Sequence, residues 1–177
     1  MCGRFTLHHT AEEIAARFEI QEVLFDVQPR YNIAPSQPIA TITQQDGARV
    51  LGSSRWGLIP SWAKDAAIGN RMINARAETL RSCTIITTVP NEIITPLHHR
   101  MAVILKPEDE ETWLDPDLKD VDELSQLLQP YANDALELFS VSRRVNTPAF
   151  DEESCIFPWQ EDLEEAIVEA SVQPKLF

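Results

Sequence analysis

Pro38-Ile39-Ala40-Thr41-Ile42-Thr43-Gln44 and Arg49-Val50-Leu51-Gly52-Ser53 flank Gln45-Asp46-Gly47. The two runs are rich in β-branched residues, and a glycine that tolerates positive φ stands between them, which predicts an antiparallel hairpin. Upstream, Thr10-Ala11-Glu12-Glu13 precedes Ile14, Ala15 and Phe18. Thr10 and Glu13 can satisfy each other's free backbone donors, so this is a capping box opening an amphipathic helix. Downstream, Cys83 to Val89, Met101 to Leu105 and Leu136 to Val141 are apolar or β-branched runs of strand length. Pro107 to Leu114, Asp120 to Leu128 and Glu161 to Ala170 begin with acidic turns and continue at helical spacing. Sheet with peripheral helices places the chain in the α+β class.

The length of 177 residues suits one domain, read here over residues 1–177, with enough mass for a real core. Apolar residues make up 44% and charged residues 24%, which excludes wholesale disorder. Apolar runs such as Met101 to Leu105 fall far below membrane-spanning length, and the start lacks a signal-peptide pattern, so a cytoplasmic location is the expectation. Cys2, Cys83 and Cys155 show no paired spacing and no clustered histidines, so no disulfide framework, metal or cofactor is expected. The tail after Gln173 is expected to be mobile. A net charge of −13 lacks the basic footprint of a nucleic-acid binder. The acids crowd into 108–111, 115–123 and 151–165, however, while Arg4, Arg30, Arg55, Arg71, Arg76, Arg100, Arg143 and Arg144 lie elsewhere, which leaves room for a local basic cleft.

Chemistry begins at Met1-Cys2-Gly3-Arg4-Phe5. A small second residue lets the initiator methionine be removed, leaving Cys2 with an α-amine beside its thiol. Such an amine titrates near 7.7–8.0 and a thiol near 8.5, so both reach nucleophilic forms near neutrality. An aldehyde meeting both forms an imine that the thiolate closes to a thiazolidine. Taken alone, the residue reads more readily as a small buried hydrophobe near the terminus.

Arg30-Tyr31-Asn32-Ile33-Ala34-Pro35 is followed by Arg55-Trp56-Gly57-Leu58-Ile59-Pro60-Ser61-Trp62 and Ile73-Asn74-Ala75-Arg76-Ala77-Glu78-Thr79. Then come Cys83-Thr84-Ile85-Ile86-Thr87-Thr88, Pro96-Leu97-His98-His99-Arg100-Met101 and Val141-Ser142-Arg143-Arg144-Val145-Asn146. Together with Met1 to Phe5, in this order and at this spacing, these segments resemble the SOS-response-associated peptidase (SRAP) family, whose members crosslink to abasic sites in single-stranded DNA through the second residue. The resemblance implies a curved, largely antiparallel sheet with a cleft ending at the N-terminus. It makes Cys2 the nucleophile, Asn74 the group orienting its amine, and His98 the acid/base residue near the sugar, with Thr87 as a supporting candidate. Arg76, Arg100 and Arg4 would hold phosphates, while Pro35 and Trp62 would splay and stack bases beside the lesion. Without the family, Trp56 and Trp62 read as core anchors and His98 and His99 as surface histidines.

One departure stands out. Family members carry several dozen residues, including a catalytic glutamate, where Thr79-Leu80-Arg81-Ser82-Cys83 here joins the flanks directly. The family's late asparagine is also missing, with Phe150 standing roughly in its place. The implied function is thiazolidine crosslinking that shields abasic sites in the SOS response, with associated self-processing peptidase and abasic-site lyase activity, at the nucleoid when DNA is damaged. Two alternatives remain at this level: a binder of single-stranded DNA or protein with impaired catalysis, or a thiol peptidase acting on other proteins. Loss of internal strands would also leave a sheet edge exposed, which invites self-association.

Overall fold

A computed structural model describes residues 3–60, 62–70, 72–74 and 82–159. The expected helix at Glu161 to Ala170 and the tail after Gln173 lie outside the described residues, as do Cys2, Arg76 and most of the junction near Thr79. The elements are mixed α and β, in agreement with the expected class. The central feature is the hairpin: β4 (Pro38–Gln45) and β5 (Ala48–Trp56) pair antiparallel from Pro38↔Arg55 to Gln45↔Ala48. The turn is two residues long, tighter than the three-residue reading. Asp46 (φ 49°) and Gly47 (φ 81°) both take positive φ, as a hairpin matched to right-handed strand twist requires.

On the other edge of β5, β2 (Glu22–Val23) pairs parallel at Val50 and Leu51, and β6 (Ser82–Cys83) pairs parallel at Arg55 and Trp56. Among the described residues two smaller antiparallel pairs complete the strands: β1 (Phe5–Leu7) with β3 (Arg30–Ile33), and β7 (Thr87–Thr88) with β8 (Met101–Ala102). The run from Cys83 to Val89 is therefore broken between β6 and β7, and the β8 ladder stops at Ala102. Leu136 to Val141 forms no strand. Leu138, Phe139 and Val141 in it are exposed, so β propensity has no neighbouring ladder to complete it.

Helix α1 (Ala11–Phe18) carries the expected capping box: Thr10 Oγ1 accepts from Glu13 N–H, and Glu13 accepts from Thr10 N–H. Its Ile14 packs with Val27 and Leu51, surrounded by Leu7, Phe18, Phe25 and Ile42. Alternate residues of the hairpin thus face α1, as a period of two dictates. Helix α2 (Glu110–Leu114) follows a 3₁₀ turn at Pro107–Asp109, and α3 (Val121–Leu127) is capped by Asp120. Arg17 grips Glu110 with two guanidinium bonds (2.8 and 3.3 Å), tying α2 to α1.

Candidate functional site

Trp56 organises the region. Fully buried at the end of β5, it packs its ring against Phe5 of β1 (centroids 5.3 Å apart, tilted 59°) and donates its indole Nε1–H to the Ile73 carbonyl (2.9 Å). The same carbonyl accepts from Ile85 N–H (3.3 Å), and Leu58 N–H donates to the Met72 carbonyl (2.9 Å). The 72–74 segment is thereby fixed between the ends of β5 and β6. Behind it, Gly57 (φ 141°) and Gly69 touch backbone to backbone: a Cβ at Gly57 would fall 2.3 Å from the Gly69 oxygen. Only glycine fits that approach.

Asn74 follows directly. Its amide nitrogen and oxygen are both withdrawn from solvent, and neither has a hydrogen-bond partner among the described residues. Asn32, Arg55 and Asn133 each leave one side-chain atom in that condition, but among the described residues Asn74 alone leaves both polar atoms of its amide. An orphaned buried polar group costs about 1–3 kcal/mol, so folded chains keep few of them without a use.

From Ile85 the chain runs into β7, and Val103 N–H donates to the Ile86 carbonyl (2.9 Å) as β8 returns. Arg100, just before β8, bonds Thr87 through Nε to Oγ1 (3.3 Å) and through Nη2 to Oγ1 (3.2 Å), and Nη2 also donates to the Thr87 carbonyl. His98 Nδ1 lies 3.0 Å from Arg100 N–H and 3.1 Å from the Arg100 carbonyl. A bare Nδ1 accepts from the first and a proton on Nδ1 is donated to the second, so the backbone of Arg100 can serve either arrangement of the ring. His99 stacks on His98, centroids 4.3 Å apart. Thr87, His98 and Arg100 thus form one hydrogen-bonded group, joined through Ile86 and Ile85 to the segment that carries Asn74.

Arg4 lies at the entry to β1. Its guanidinium donates to the Gly3 (2.6 Å), Val145 (3.3 Å) and Asn146 (3.1 Å) carbonyls. It therefore ties the N-terminal segment to the 143–146 turn. Pro35 sits in the turn after β3, where Ser36 takes positive φ (72°) and donates its hydroxyl to Asn70 Oδ1, which also accepts from Arg55. The two loop tryptophans part company: Trp56 is a core anchor at 0% exposure, whereas Trp62 stands 71% exposed. Among the described thiols, Cys155 is buried and Cys83 is half-buried; burial pushes the Cys83 thiol up to about 11, far from a nucleophile at neutral pH. The acids gather elsewhere. Glu108, Glu111, Asp115 and Glu123 line a cleft of about 500 Å³ beside Arg49, and none of them belongs to the segments above.

Sequence reading missed Asp151. It stands at the head of an acidic run and reads as solvated, yet its Oδ1 accepts from Tyr31 N–H (2.6 Å) and Asn32 N–H (2.8 Å), and its Oδ2 from Arg30 Nε. Burial works against its charge, but the bonds from Arg30 and the two amides outweigh that and hold the carboxyl below its usual range. Only tertiary structure brings residues 119–121 positions apart together.

The chain is thus an α+β domain whose first strand packs on a buried tryptophan that is also bonded to the segment carrying Asn74, with the Thr87–Arg100–His98 group joined to the same segment. The sequence matches the model of the SOS response associated peptidase (SRAP) over residues 1–82 and 78–148, and the chain belongs to that family. It is 37% identical over 213 residues to the abasic site processing protein YoqW of Bacillus subtilis, covering 84% of this chain and 95% of that one. It is 35% identical to YoaM of the same organism, again over 213 residues, covering 84% of this chain and 94% of the relative. Each matched stretch is longer than the 177-residue chain itself, so it includes positions that this chain does not have. A crystal structure of a protein from Bacteroides thetaiotaomicron superposes with a TM-score of 0.72 at 19% identity, covering 90% of this chain and all of that one, which supports the fold.

Proposed function

We propose that this protein processes abasic sites in single-stranded DNA by capturing the ring-opened sugar aldehyde on Cys2. After loss of Met1, the α-amine adds to the aldehyde carbon and water leaves, giving an imine. The Cys2 thiolate then adds to the same carbon, the nitrogen takes up a proton, and a thiazolidine results. The net change is one water lost per adduct. Two nucleophiles on one residue give the second step a high effective concentration.

The observation that carries this reading is the Asn74 amide, withdrawn from solvent beside the Trp56–Ile73 anchor with both polar atoms unpartnered among the described residues. An acceptor and a donor so placed suit an α-amine and the oxygen it displaces. His98 moves protons at the sugar, backed by Thr87; Arg76 and Arg100 hold phosphates; Pro35 and exposed Trp62 receive unstacked bases. The family and the names of its relatives support DNA as the partner. Self-processing peptidase and lyase activities belong to the same reading, as do action in the SOS response and a cytoplasmic location, on the nucleoid when it is damaged. The single domain lacks an internal segment between about 79 and 83, and with it the family's glutamate, so ring opening is slower here; general acid catalysis commonly contributes about 10²–10⁴-fold. An edge left open by that loss favours self-association.

The test is a crosslinking assay without borohydride, using a single-stranded oligonucleotide with one abasic site. Wild-type protein should give a band that survives denaturing electrophoresis. A band of equal intensity from Cys2→Ala would refute the assignment.

A further inference from the structure

Asp151 lies far from the candidate site in sequence, yet its contacts lead to the reacting terminus in three steps. It binds the N–H groups of Tyr31 and Asn32 and the guanidinium of Arg30, fastening the end of the 143–151 segment to β3. Asn32, 1% exposed, adds a second fastening by donating Nδ2 to the Thr147 (3.0 Å) and Phe150 (2.7 Å) carbonyls. Within the segment, the Arg144 guanidinium lies 3.7 Å from the Phe150 ring centroid, and Thr147 N–H donates to the Arg144 carbonyl (3.0 Å). The turn is thereby stiffened from Arg144 to Asp151. Its Val145 and Asn146 carbonyls hold Arg4, and Arg4 holds the Gly3 carbonyl. Gly3 is bonded to Cys2.

We infer that Asp151 is a positioning residue for capture: through the 143–151 segment and Arg4 it fixes where the backbone of Gly3 lies, and so where the amine and thiol of Cys2 are presented. The inference rests on the reading of Cys2 as nucleophile. Capture needs both nucleophiles aimed at one carbon, and a displacement of about 1 Å can cost about 10²-fold in such a reaction. Because Asp151 acts on the terminus and not on the DNA, it governs the rate of the bound complex and leaves DNA affinity alone. An acidic side chain on this path also explains how Arg4 is used: its guanidinium meets carbonyls of a turn that Asp151 holds in place.

The experiment measures the crosslinking rate against the concentration of abasic oligonucleotide, separating the rate at saturation from the half-saturating concentration. Asp151→Asn keeps the size and an acceptor but loses the charge and presents a donor to Arg30. It should lower the saturating rate by about tenfold or more and move half-saturation by less than about twofold. Arg4→Ala should lower the same rate, and the double variant should be no slower than the slower single one, because the two residues act in series. Should Asp151→Asn not fold, Asn32→Ala takes its place with the same expectations, since it cuts two bonds to the segment while deleting a buried acceptor that has no partner among the described residues. A saturating rate within about twofold of wild type, or losses that multiply in the double variant, would overturn the inference. If wild type itself forms no adduct, the reading of Cys2 falls first; an active wild type with unaffected variants sinks only the role of Asp151.

Discussion

Trp56 and Ile73 are joined by a 2.9 Å hydrogen bond from the indole nitrogen to the carbonyl oxygen, and that bond sets the backbone just ahead of Asn74. Trp56→Phe keeps most of the apolar contact with Phe5 but removes the donor. A net loss of about 0.5–1.5 kcal/mol in unfolding free energy is expected, measured by urea denaturation. Trp56→Ala should cost about 3–5 kcal/mol.

Gly57→Ala should be more damaging than its size suggests, since the new methyl would meet the Gly69 oxygen at 2.3 Å on a backbone at φ 141°. Gly52→Ala is its control, because a Cβ there meets nothing within 4 Å. Thermal unfolding should show a clear loss in melting temperature for the first, of at least about 1–3 kcal/mol in stability, and little change for the second.

The hairpin, helix α1 and the α+β class were legible because each rests on local chemistry: a turn glycine, a capping box, apolar residues at periods of two and 3.6. Leu136 to Val141 was misread because β propensity describes a surface waiting for a neighbour, and none is provided among the described residues. Trp56 and Trp62 share one loop motif, and nothing local says that one is buried and the other exposed. Asn74, Thr87, His98 and Arg100 were found through the family pattern, while the bonds uniting the last three are tertiary. Asp151 was missed since a carboxylate in an acidic run gives no sign of three donors gathered from a distant strand.

Asp151 makes a prediction about acid. Its carboxyl is held below the ordinary 3.8 in the folded chain, so its ionised form stabilises the fold above that value, and the contribution is lost as pH falls through the lower, folded value. Asp151→Asn should therefore lose stability near neutral pH and show a shallower decline than wild type below about pH 4. Parallel acid limbs in the two proteins, followed by urea midpoints, would contradict this.

Thiol labelling separates the cysteines. With its thiol at about 11, Cys83 is only about one part in a thousand thiolate at pH 8, so iodoacetamide at that pH should modify Cys2 first and Cys83 slowly. Peptide mapping after brief labelling reads this directly. Fast modification of Cys83 in folded protein would contradict its half-buried, protonated state.

Trp62→Ala should leave the melting temperature nearly unchanged, because the side chain is 71% exposed. It should weaken single-stranded DNA binding by about 1–3 kcal/mol with little dependence on sequence, as a stacking platform does. Fluorescence anisotropy with unmodified oligonucleotides of different composition checks it, and unaltered affinity would remove Trp62 from the interface.

The most direct test of the account is intact mass spectrometry of the protein after incubation with an abasic-site oligonucleotide. Capture on Cys2 predicts one species at the mass of the chain without Met1 plus the oligonucleotide less one water, formed by wild type and absent from Cys2→Ala. An adduct of that mass formed equally by Cys2→Ala, or no adduct from a wild-type chain shown to have lost Met1, would contradict it.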